Sequence, residues 1–512
     1  MTFSKNRLEK YIYFFMAIFL GLIITYCFLF GSNGREFWNL LVNGSDKGYF
    51  LPVFWIYVFI VIIMSLLYKG IVKHKNDLQI CGSIFLFAMI LRLTPCIFNL
   101  YIPTSDFKNY LEYGINIYNG NYSEVANLIA SYKLPTMGGL AVFNSLLAHI
   151  FSPTLLGLQI ANCIMTSCIC VMLYIILKNY NRSIAAIAAL LYVIYPSNII
   201  SSQVTTNHHG ATLFALISMC LYLRALENNI CHRWISFALF SGIAMTVSHF
   251  FHPSSIIFVL ALFFYTILIF QKIVINHKKI ILCLCIFLFV FYSSYHLGIM
   301  VLNQNGIIKS TDQVSMMSKI VVGLNQDSRG RFNTEDVQFI KSLSGESEFA
   351  EYLSVITDRI KDPRALIQLI LEKTDYTWFS GDSYMSWYSA GFRAEAGKDI
   401  EAQLSDTRFI RLEPTFSKFI SAVTYLDILF VGLIYILTLI FLLFRKRQVL
   451  FNPLDLMLFV ALGWVSVHFF IEVQSRYRYL GMPAFICMAA CGLYILWKRM
   501  DSLISSLKNG GR

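Results

Sequence analysis

The chain has 512 residues and a mass of 58.8 kDa, and 57% of its residues are hydrophobic, 16% aromatic and only 14% charged. Soluble domains usually carry about 25% charged residues, so this composition excludes an ordinary soluble globular protein. The apolar content also excludes a disordered chain, and 28 Gly with 11 Pro form no collagen-like repeat. We therefore expect most of the chain to form membrane-spanning helices.

The net charge is +12, from 41 Lys and Arg against 29 Asp and Glu. Such an excess would suggest nucleic-acid binding if the basic residues were clustered on one water-exposed face. They lie instead in short loops between apolar segments, where they orient a membrane protein. No nucleic-acid partner is predicted.

The 12 cysteines lie in or beside apolar segments, and none lies between about residue 300 and residue 417. Their spacing indicates neither a disulfide framework nor a zinc ribbon. We interpret them as small apolar residues of buried helices.

Twelve apolar segments have close to the length of about 18 residues that a helix needs to cross the roughly 30 Å hydrocarbon layer. In chain order they are residues 11-30, 52-69, 80-101, 154-177, 183-201, 210-225, 234-251, 254-271, 279-299, 418-444, 453-472 and 480-497. The first two precede the region that carries the motifs described below, and we interpret them as accessory helices.

Basic residues predict the orientation of these segments in the cell membrane. With the N-terminus in the cytoplasm, most loop Lys and Arg residues are cytoplasmic, and the short loops on the other side hold only Arg35, Lys47, Lys108, Lys133, Arg476 and Arg478. This bias predicts a multi-pass protein with both termini in the cytoplasm.

The orientation requires that residues 137-151, MGGLAVFNSLLAHIF, do not cross the membrane. This segment is short for a span and is bounded by Pro135 and Pro153, so we expect an outer-face or re-entrant helix. If it crossed, the basic loops at 178-182 and 272-279 would change sides and the bias would weaken.

The predicted fold is an all-α polytopic membrane protein with a soluble, mainly helical domain outside the cytoplasm. Residues 1-79 hold the two accessory helices, and residues 80-299 form a transmembrane core whose first outer loop is 102-153. Residues 300-417, which we call the outer domain, are polar, and residues 418-512 form the C-terminal helices.

Asp106 lies a few residues beyond the third apolar segment, in the sequence PTSDFKNYLEYG. It could cap the helix that follows, although Thr104 or Ser105 could cap it equally well. The other interpretation is a general base at the membrane surface, where partial desolvation raises the basicity of a carboxylate.

Three segments resemble the GT-C glycosyltransferases, in particular the protein mannosyltransferase and aminoarabinose transferase group of glycosyltransferase family 39. The segment LRLTPCIFNLYIPTSDFKNYLEYG is similar to the family's first outer loop with its Asp. The segments SIAAIAALLYVIYPSNIISSQVTTNHHGATLFALISMCLYL and IEVQSRYRYLGMPAFICMAACGLYIL are similar to its paired spans and its late Glu, Arg-Tyr and Pro pattern. The resemblance covers roughly residues 80 to 497 as spaced short motifs.

The resemblance implies that a polyprenyl-phosphate-linked sugar is the donor and that the sugar is transferred, with inversion, on the outer face of the membrane. Asp106 would remove the proton from an acceptor hydroxyl. Arg476 and Arg478 would bind the departing phosphate, since guanidinium groups are permanently charged and bind two oxygens at once. The alternative for both arginines is an interfacial belt in which they snorkel to the headgroups.

Asn207, His208 and His209 stand where many relatives have a second acidic residue, which argues against an acid-assisted metal site. His208 or His209 could donate hydrogen bonds to the donor phosphate or the sugar. A divalent cation is possible as a cofactor, with His249 and His252 as its candidate ligands, but no histidine pair has a diagnostic spacing.

Further candidate contacts to donor or acceptor are Tyr110, Glu472, Tyr477, Trp378 and Trp387. The two tryptophans could stack on sugar rings or seat the outer domain on the headgroups. Arg92 and Asp427 are the charges deepest in the apolar segments, and we expect them to pair with each other.

The sequence therefore predicts a glycosyltransferase whose acceptor is a cell-surface polysaccharide, teichoic acid, glycolipid or protein. A flippase or transporter of lipid-linked oligosaccharide is one alternative, and a polymerase of the same membrane is another. Transporters often contain an internal repeat, and none is visible here.

Overall fold

The computed structural model describes most of residues 76–380 and 408–509, and scattered positions elsewhere. The residues that it leaves out are most of 1–75 and 381–407, together with 99–100, 102, 133–134, 273–276, 310–315, 344–347, 445–451 and 510–512. The predicted accessory spans 11-30 and 52-69 lie largely outside the described residues.

The core region consists of helices joined by short turns. They are α1 (Asp77–Phe98), α2 (Ser105–Tyr118), α3 (Tyr122–Tyr132), α4 (Thr136–Phe151), α5 (Leu155–Leu177), α6 (Arg182–Ile194), α7 (Pro196–Ser201), α8 (His208–Glu227), α9 (Cys231–Phe251), α10 (Ile256–Lys272) and α11 (His277–Gln304). Pro253–Ser255, between α9 and α10, is a 3₁₀ turn.

The outer domain and the C-terminal region are also helical. Their helices are α12 (Met316–Gly323), α13 (Thr334–Ser342), α14 (Glu348–Arg359), α15 (Pro363–Thr374), α16 (Arg408–Phe444), α17 (Pro453–His468) and α18 (Met482–Asn509). A π-helical turn, Asp375–Phe379, follows α15, and a 3₁₀ helix, Ser475–Leu480, lies between α17 and α18.

The all-α fold class is confirmed, since the described residues contain no β-strand. Among them, seven helices are long and apolar enough to cross a membrane, and Thr136–Phe151, Arg182–Ile194 and Pro453–His468 are shorter apolar helices. The helices reproduce the ten predicted segments after residue 79, but the structure does not establish twelve crossings. The predicted spans 11-30 and 52-69 lie largely outside the described residues, and some other apolar segments form shorter helices, as 183-201 does because it is interrupted at Pro196 between α6 and α7.

Small residues let the helices of the core pack closely. Helix α6 buries Ala185, Ala186, Ala188 and Ala189 completely. A side chain at Gly492 would overlap the Leu437 carbonyl, so α18 approaches the backbone of α16 at this point. Such contacts stabilise helices in lipid, where burial of apolar surface supplies little net driving force.

The predicted pairing of Arg92 with Asp427 is wrong. The Arg92 guanidinium is fully buried and donates to the backbone carbonyls of Ala88 (3.1 Å), Tyr192 (3.3 Å) and Val193 (3.5 Å). These carbonyls belong to α1 and to the end of α6, so backbone dipoles solvate the charge where a carboxylate was expected.

Asp427 of α16 forms its ion pair with Arg478 instead. The Arg478 Nη2 atom lies 2.7 Å from Asp427 Oδ2, and neither side chain is exposed. The other carboxylate oxygen accepts from the Ser197 backbone N–H at 3.0 Å, and Arg478 also donates to the carbonyls of Trp378 and Ser380. One buried pair thus joins α16, α7, the π-helical turn and the 3₁₀ helix.

Substitution Asp427→Asn should strongly destabilise the protein. Leaving one member of a buried pair uncompensated costs about 3–5 kcal/mol, and this change leaves the Arg478 charge without its counterion. The measurement is thermal unfolding of the purified protein in detergent. Asp358→Asn, which removes an exposed pair with Lys361, is the control and should leave the transition unchanged; equal transitions for the two variants would contradict the assignment.

Candidate active site

Asp106 lies in the first turn of α2 and faces the C-terminal region of the chain. Its Oδ2 atom lies 3.2 Å from Arg476 Nη2, and its side chain is 46% exposed. Thr104 is the N-cap residue, but its side chain makes no capping hydrogen bond. Asp106 is therefore not the N-cap of α2, and its carboxylate pairs with Arg476.

Arg476 is held in place by aromatic rings. Its side chain is only 7% exposed, and the guanidinium lies 4.7 Å from the ring centroid of Phe107 and 5.8 Å from that of Tyr477. Cation–π contacts of this kind stabilise a desolvated charge. The structure thus brings together Asp106, Arg476 and Tyr477, which are candidates from distant parts of the sequence.

Arg478 does not share this environment, although it is only two residues away. Ser475–Leu480 is a 3₁₀ helix, and with three residues per turn positions i and i+2 point in different directions. Arg478 points to Asp427 and is fully buried. The expectation that it binds the donor phosphate is not supported, since its charge is already neutralised inside the protein.

Tyr384 is an aromatic residue of the outer domain. It is fully buried, its hydroxyl bonds to His208 Nδ1 and lies 3.3 Å from the Thr206 hydroxyl, and its ring lies 6.5 Å from that of Phe107. Burial raises the pKa of Tyr384 well above its ordinary value. It is therefore a neutral hydroxyl at the edge of the site.

The pKa values of Tyr110 and Tyr477 are also raised, in both cases mainly by burial. The charge of Asp106 contributes to both shifts, which places the two phenols near the carboxylate. Protonated phenols are hydrogen-bond donors and not bases near neutral pH. Of these groups, only Asp106 can accept a proton from a substrate.

The three residues at the start of α8 have different surroundings. Asn207 Nδ2 donates to the Phe251 carbonyl at 2.8 Å. Both ring nitrogens of His209 are occupied, by the Tyr479 hydroxyl and the Ser201 carbonyl at 2.8 Å each. Only the His208 ring lies among the site's aromatic residues, 6.4 Å from the ring of Tyr477.

The candidate metal ligands do not converge. His249 Nδ1 lies 3.0 Å from the Ser255 hydroxyl, and His252 Nδ1 accepts from the Ser254 N–H at 3.2 Å. Within the described part of the chain, no three His, Cys, Asp or Glu residues are placed to hold a metal ion together. The positive charge beside Asp106 is that of Arg476.

Glu472 is bonded to the outer domain. Its side chain is 6% exposed, and its Oε2 atom accepts from Lys319 Nζ at 2.7 Å. Burial raises the pKa of Glu472, but the charge and hydrogen bond of Lys319 outweigh burial, so the pKa is lowered overall. Glu472 is therefore an ionised carboxylate near neutral pH, and its partner is Lys319.

Lys373 of α15 attaches the outer domain to the segment that leads to the site. Its Nζ atom donates to the carbonyls of Gly323 (2.7 Å), Phe469 (2.9 Å) and Ile471 (2.8 Å), and the side chain is buried. A Cβ atom at Gly323 would overlap the backbone at Ile471. Burial lowers the pKa of Lys373 to about 7. Nothing in LILEKTD distinguishes this lysine from an ordinary surface lysine near a helix end.

Backbone hydrogen bonds reinforce the same junction. The Glu472 N–H donates to the Lys319 carbonyl and the Val473 N–H donates to the Gly330 carbonyl, each at 2.9 Å. The outer domain thus holds residues 469–473, three residues before Arg476.

Trp378 is buried inside the protein and presents no open face for a sugar. Trp378 is 2% exposed, packs on Phe485 and His468, and uses its carbonyl to accept from Tyr435 and Arg478. Because a buried ring has no free face, the expected contact of Trp378 with a sugar is wrong for this arrangement. Trp387 lies outside the described residues.

The protein is a helical membrane protein. The Asp106 carboxylate, at the start of α2, pairs with Arg476, in the 3₁₀ helix between α17 and α18. A sequence model of the dolichyl-phosphate-mannose-protein mannosyltransferase family matches residues 139–296. This match confirms the resemblance to the GT-C glycosyltransferases and supports a membrane glycosyltransferase of that type. No curated protein matches the chain.

Two similar solved structures are those of the oligosaccharyltransferase of Archaeoglobus fulgidus. The apo form is 14% identical, with 86% of this chain and 52% of that chain covered at a TM-score of 0.48. The complex with an inhibitory peptide and a dolichol-phosphate is 12% identical, with 85% and 52% covered at a TM-score of 0.46. The chain thus spans about half the length of these proteins, and likeness at this level carries no argument about the site.

Substitution Lys373→Met should loosen the outer domain. The variant removes all three N–H donors from the carbonyls of Gly323, Phe469 and Ile471, and each buried group left unsatisfied costs about 1–3 kcal/mol. Limited proteolysis of the outer domain, followed with thermal unfolding in detergent, measures the effect. Lys361→Met, at an exposed position in the same domain, is the matched control. Identical cleavage rates for the two variants would show that Lys373 does not hold the junction.

Proposed function

We propose that this protein transfers a sugar from a polyprenyl-phosphate carrier to a hydroxyl group of an extracytoplasmic acceptor, with inversion at the anomeric carbon. The acceptor is a cell-surface polysaccharide, a teichoic acid, a glycolipid or a protein. The observation that carries the proposal is the 3.2 Å contact between the Asp106 carboxylate and the Arg476 guanidinium, a permanent cation.

Asp106 is the general base in this reaction. Its carboxylate is half-exposed, whereas the neighbouring phenols are buried and protonated. It removes the proton as the acceptor oxygen attacks the anomeric carbon from the face opposite the phosphate. General bases contribute about 10²–10⁴-fold to such reactions.

Arg476 stabilises the leaving phosphate. Preorganised cations act most strongly where water is excluded, and the side chain of Arg476 is almost completely buried. His208 and Tyr477, whose rings lie next to each other at this site, are neutral partners for the sugar or a phosphate oxygen. Tyr384 orients His208 through its hydroxyl.

We also propose that the reaction takes place on the outer side of the membrane. The loop of Asp106 and the segment of Arg476 lie in the regions that the basic-residue bias places outside the cytoplasm. The active site then faces the outer surface, where a lipid-anchored donor and a surface acceptor meet, and both termini are cytoplasmic.

Substitution Asp106→Asn should reduce sugar transfer by at least about 10²-fold, because the amide cannot accept the proton. Membranes with matched protein levels are supplied with radiolabelled polyprenyl-phosphate sugars and host acceptor material. Glu112→Gln removes the same charge from an exposed position on α2 and should retain activity.

The outcomes separate the candidate functions. Equal activity of the wild type and the Asp106→Asn variant would show that Asp106 is not the general base. If wild type consumes no donor, the flippase or polymerase alternatives gain support.

Substitution Arg476→Gln should lower kcat by roughly 10²-fold, as loss of one preorganised donor does, without a large loss of stability. Asp106 stays half-exposed and hydrated, so no buried charge is left unpaired. Turnover and thermal unfolding are measured on the same preparation, with Arg478→Gln for comparison. We expect Arg478→Gln to unfold at lower temperature, and the proposal fails for Arg476 if its variant keeps wild-type turnover.

A further inference from the structure

The Asp106–Arg476 pair creates a conflict within the proposed reaction. The Asp106 oxygen that accepts from Arg476 at 3.2 Å is not free to accept from an acceptor hydroxyl at the same time. An arginine committed to a carboxylate also gives less stabilisation to a departing phosphate. The two groups cannot both act at full strength while they remain paired.

The geometry shows which member of the pair can move. Arg476 is 7% exposed and is held by the rings of Phe107 and Tyr477, whereas Asp106 is 46% exposed and touches it at 3.2 Å. The residue before Asp106, Ser105, has a φ of +53°, in the left-handed region, where non-glycine residues are uncommon. The buried Arg476 is therefore the fixed member of the pair, and the half-exposed Asp106 is the member that can move.

We propose that Arg476 shifts its pairing from Asp106 to the carrier phosphate during each turnover, and that this exchange frees the Asp106 carboxylate to accept from the acceptor hydroxyl. The inference rests on the proposed function. In the resting protein Arg476 neutralises Asp106, and the arriving phosphate competes for the same guanidinium. The Asp106 carboxylate is then free to meet an acceptor hydroxyl only when a donor is present.

The charge balance of the reaction fits a single arginine. Before transfer, the carboxylate carries one negative charge and the phosphodiester of the donor carries another. The acceptor O–H proton goes to Asp106, a bond forms from the acceptor oxygen to the anomeric carbon, and the bond to the phosphate oxygen breaks with its electron pair on that oxygen. Asp106 is then neutral and the phosphate monoester has gained the charge, so the cation is needed only at the phosphate.

The shift has a consequence for the idle protein. Without a donor, the base is neutralised by Arg476 and activates neither water nor an acceptor. With the product carrier bound, Arg476 stays with the phosphate until the lipid leaves. Release of the carrier, together with loss of the proton from the half-exposed Asp106 to water, restores the pair and returns Asp106 to its resting state.

The test uses Arg476→Lys, which keeps the charge and supplies an amine that carbodiimide chemistry can join to the Asp106 carboxyl as an amide. Mass spectrometry of the linked peptides measures the cross-link in the full-length protein in detergent, without turnover. We expect the cross-link in the unliganded protein. A polyprenyl phosphate at about ten times its dissociation constant should reduce it roughly tenfold, and a polyprenol of the same length should not.

Wild-type protein supplies a second measurement that does not depend on the variant. Carbodiimide with an added small amine should label Asp106 faster when polyprenyl phosphate is present, while labelling of Glu112, on the same helix and paired with Lys108, stays constant. Binding of radiolabelled polyprenyl phosphate to the wild type is measured in parallel.

The outcomes distinguish the inference from the proposed function. If polyprenyl phosphate binds but changes neither the cross-link nor the labelling of Asp106, the shift of Arg476 is wrong and the transferase proposal stands. If polyprenyl phosphate does not bind, the carrier-linked donor is wrong and the shift falls with it. Loss of the cross-link with polyprenyl phosphate alone, together with faster labelling of Asp106, supports the shift.

Discussion

The geometry of the site depends on the buried ion pair between Arg478 and Asp427. Two charges without solvent must lie within contact distance of each other, and their separation here is 2.7 Å. The pair holds the 3₁₀ helix against α16 and α7 and carries the carbonyls of residues 378 and 380 with it. Arg476, two residues away, is thereby directed to the opposite side, where it meets Asp106. A structural arginine thus positions the arginine of the candidate active site.

The outer domain contributes directly to this arrangement. Lys373 and Lys319 bind the segment 469–473 through carbonyls and through Glu472, and Tyr384 reaches His208 in the core. A buried lysine is costly unless its donors are satisfied, and three carbonyls satisfy those of Lys373. The outer domain, which the sequence analysis predicted to be soluble, therefore holds the segment that leads to the candidate active site and also contacts the site itself.

The family match and the site rest on different parts of the chain. The match covers residues 139–296, which hold the central helices but neither Asp106 nor Arg476. The roles of these two residues are therefore argued from their contact and their contrasting exposure.

The sequence alone determined the all-α membrane fold, most helix positions and the candidacy of Asp106 and Arg476, because apolar length and charge placement are local properties of a chain in lipid. It could not determine which arginine of RYRY faces the site, nor that Asp427 belongs to Arg478 and not to Arg92. It also missed Lys373, and it did not show that Trp378 is buried. These outcomes depend on contacts between residues that are far apart in the sequence. Only tertiary packing decides that Arg478 pairs with a carboxylate while Arg92 donates to backbone carbonyls.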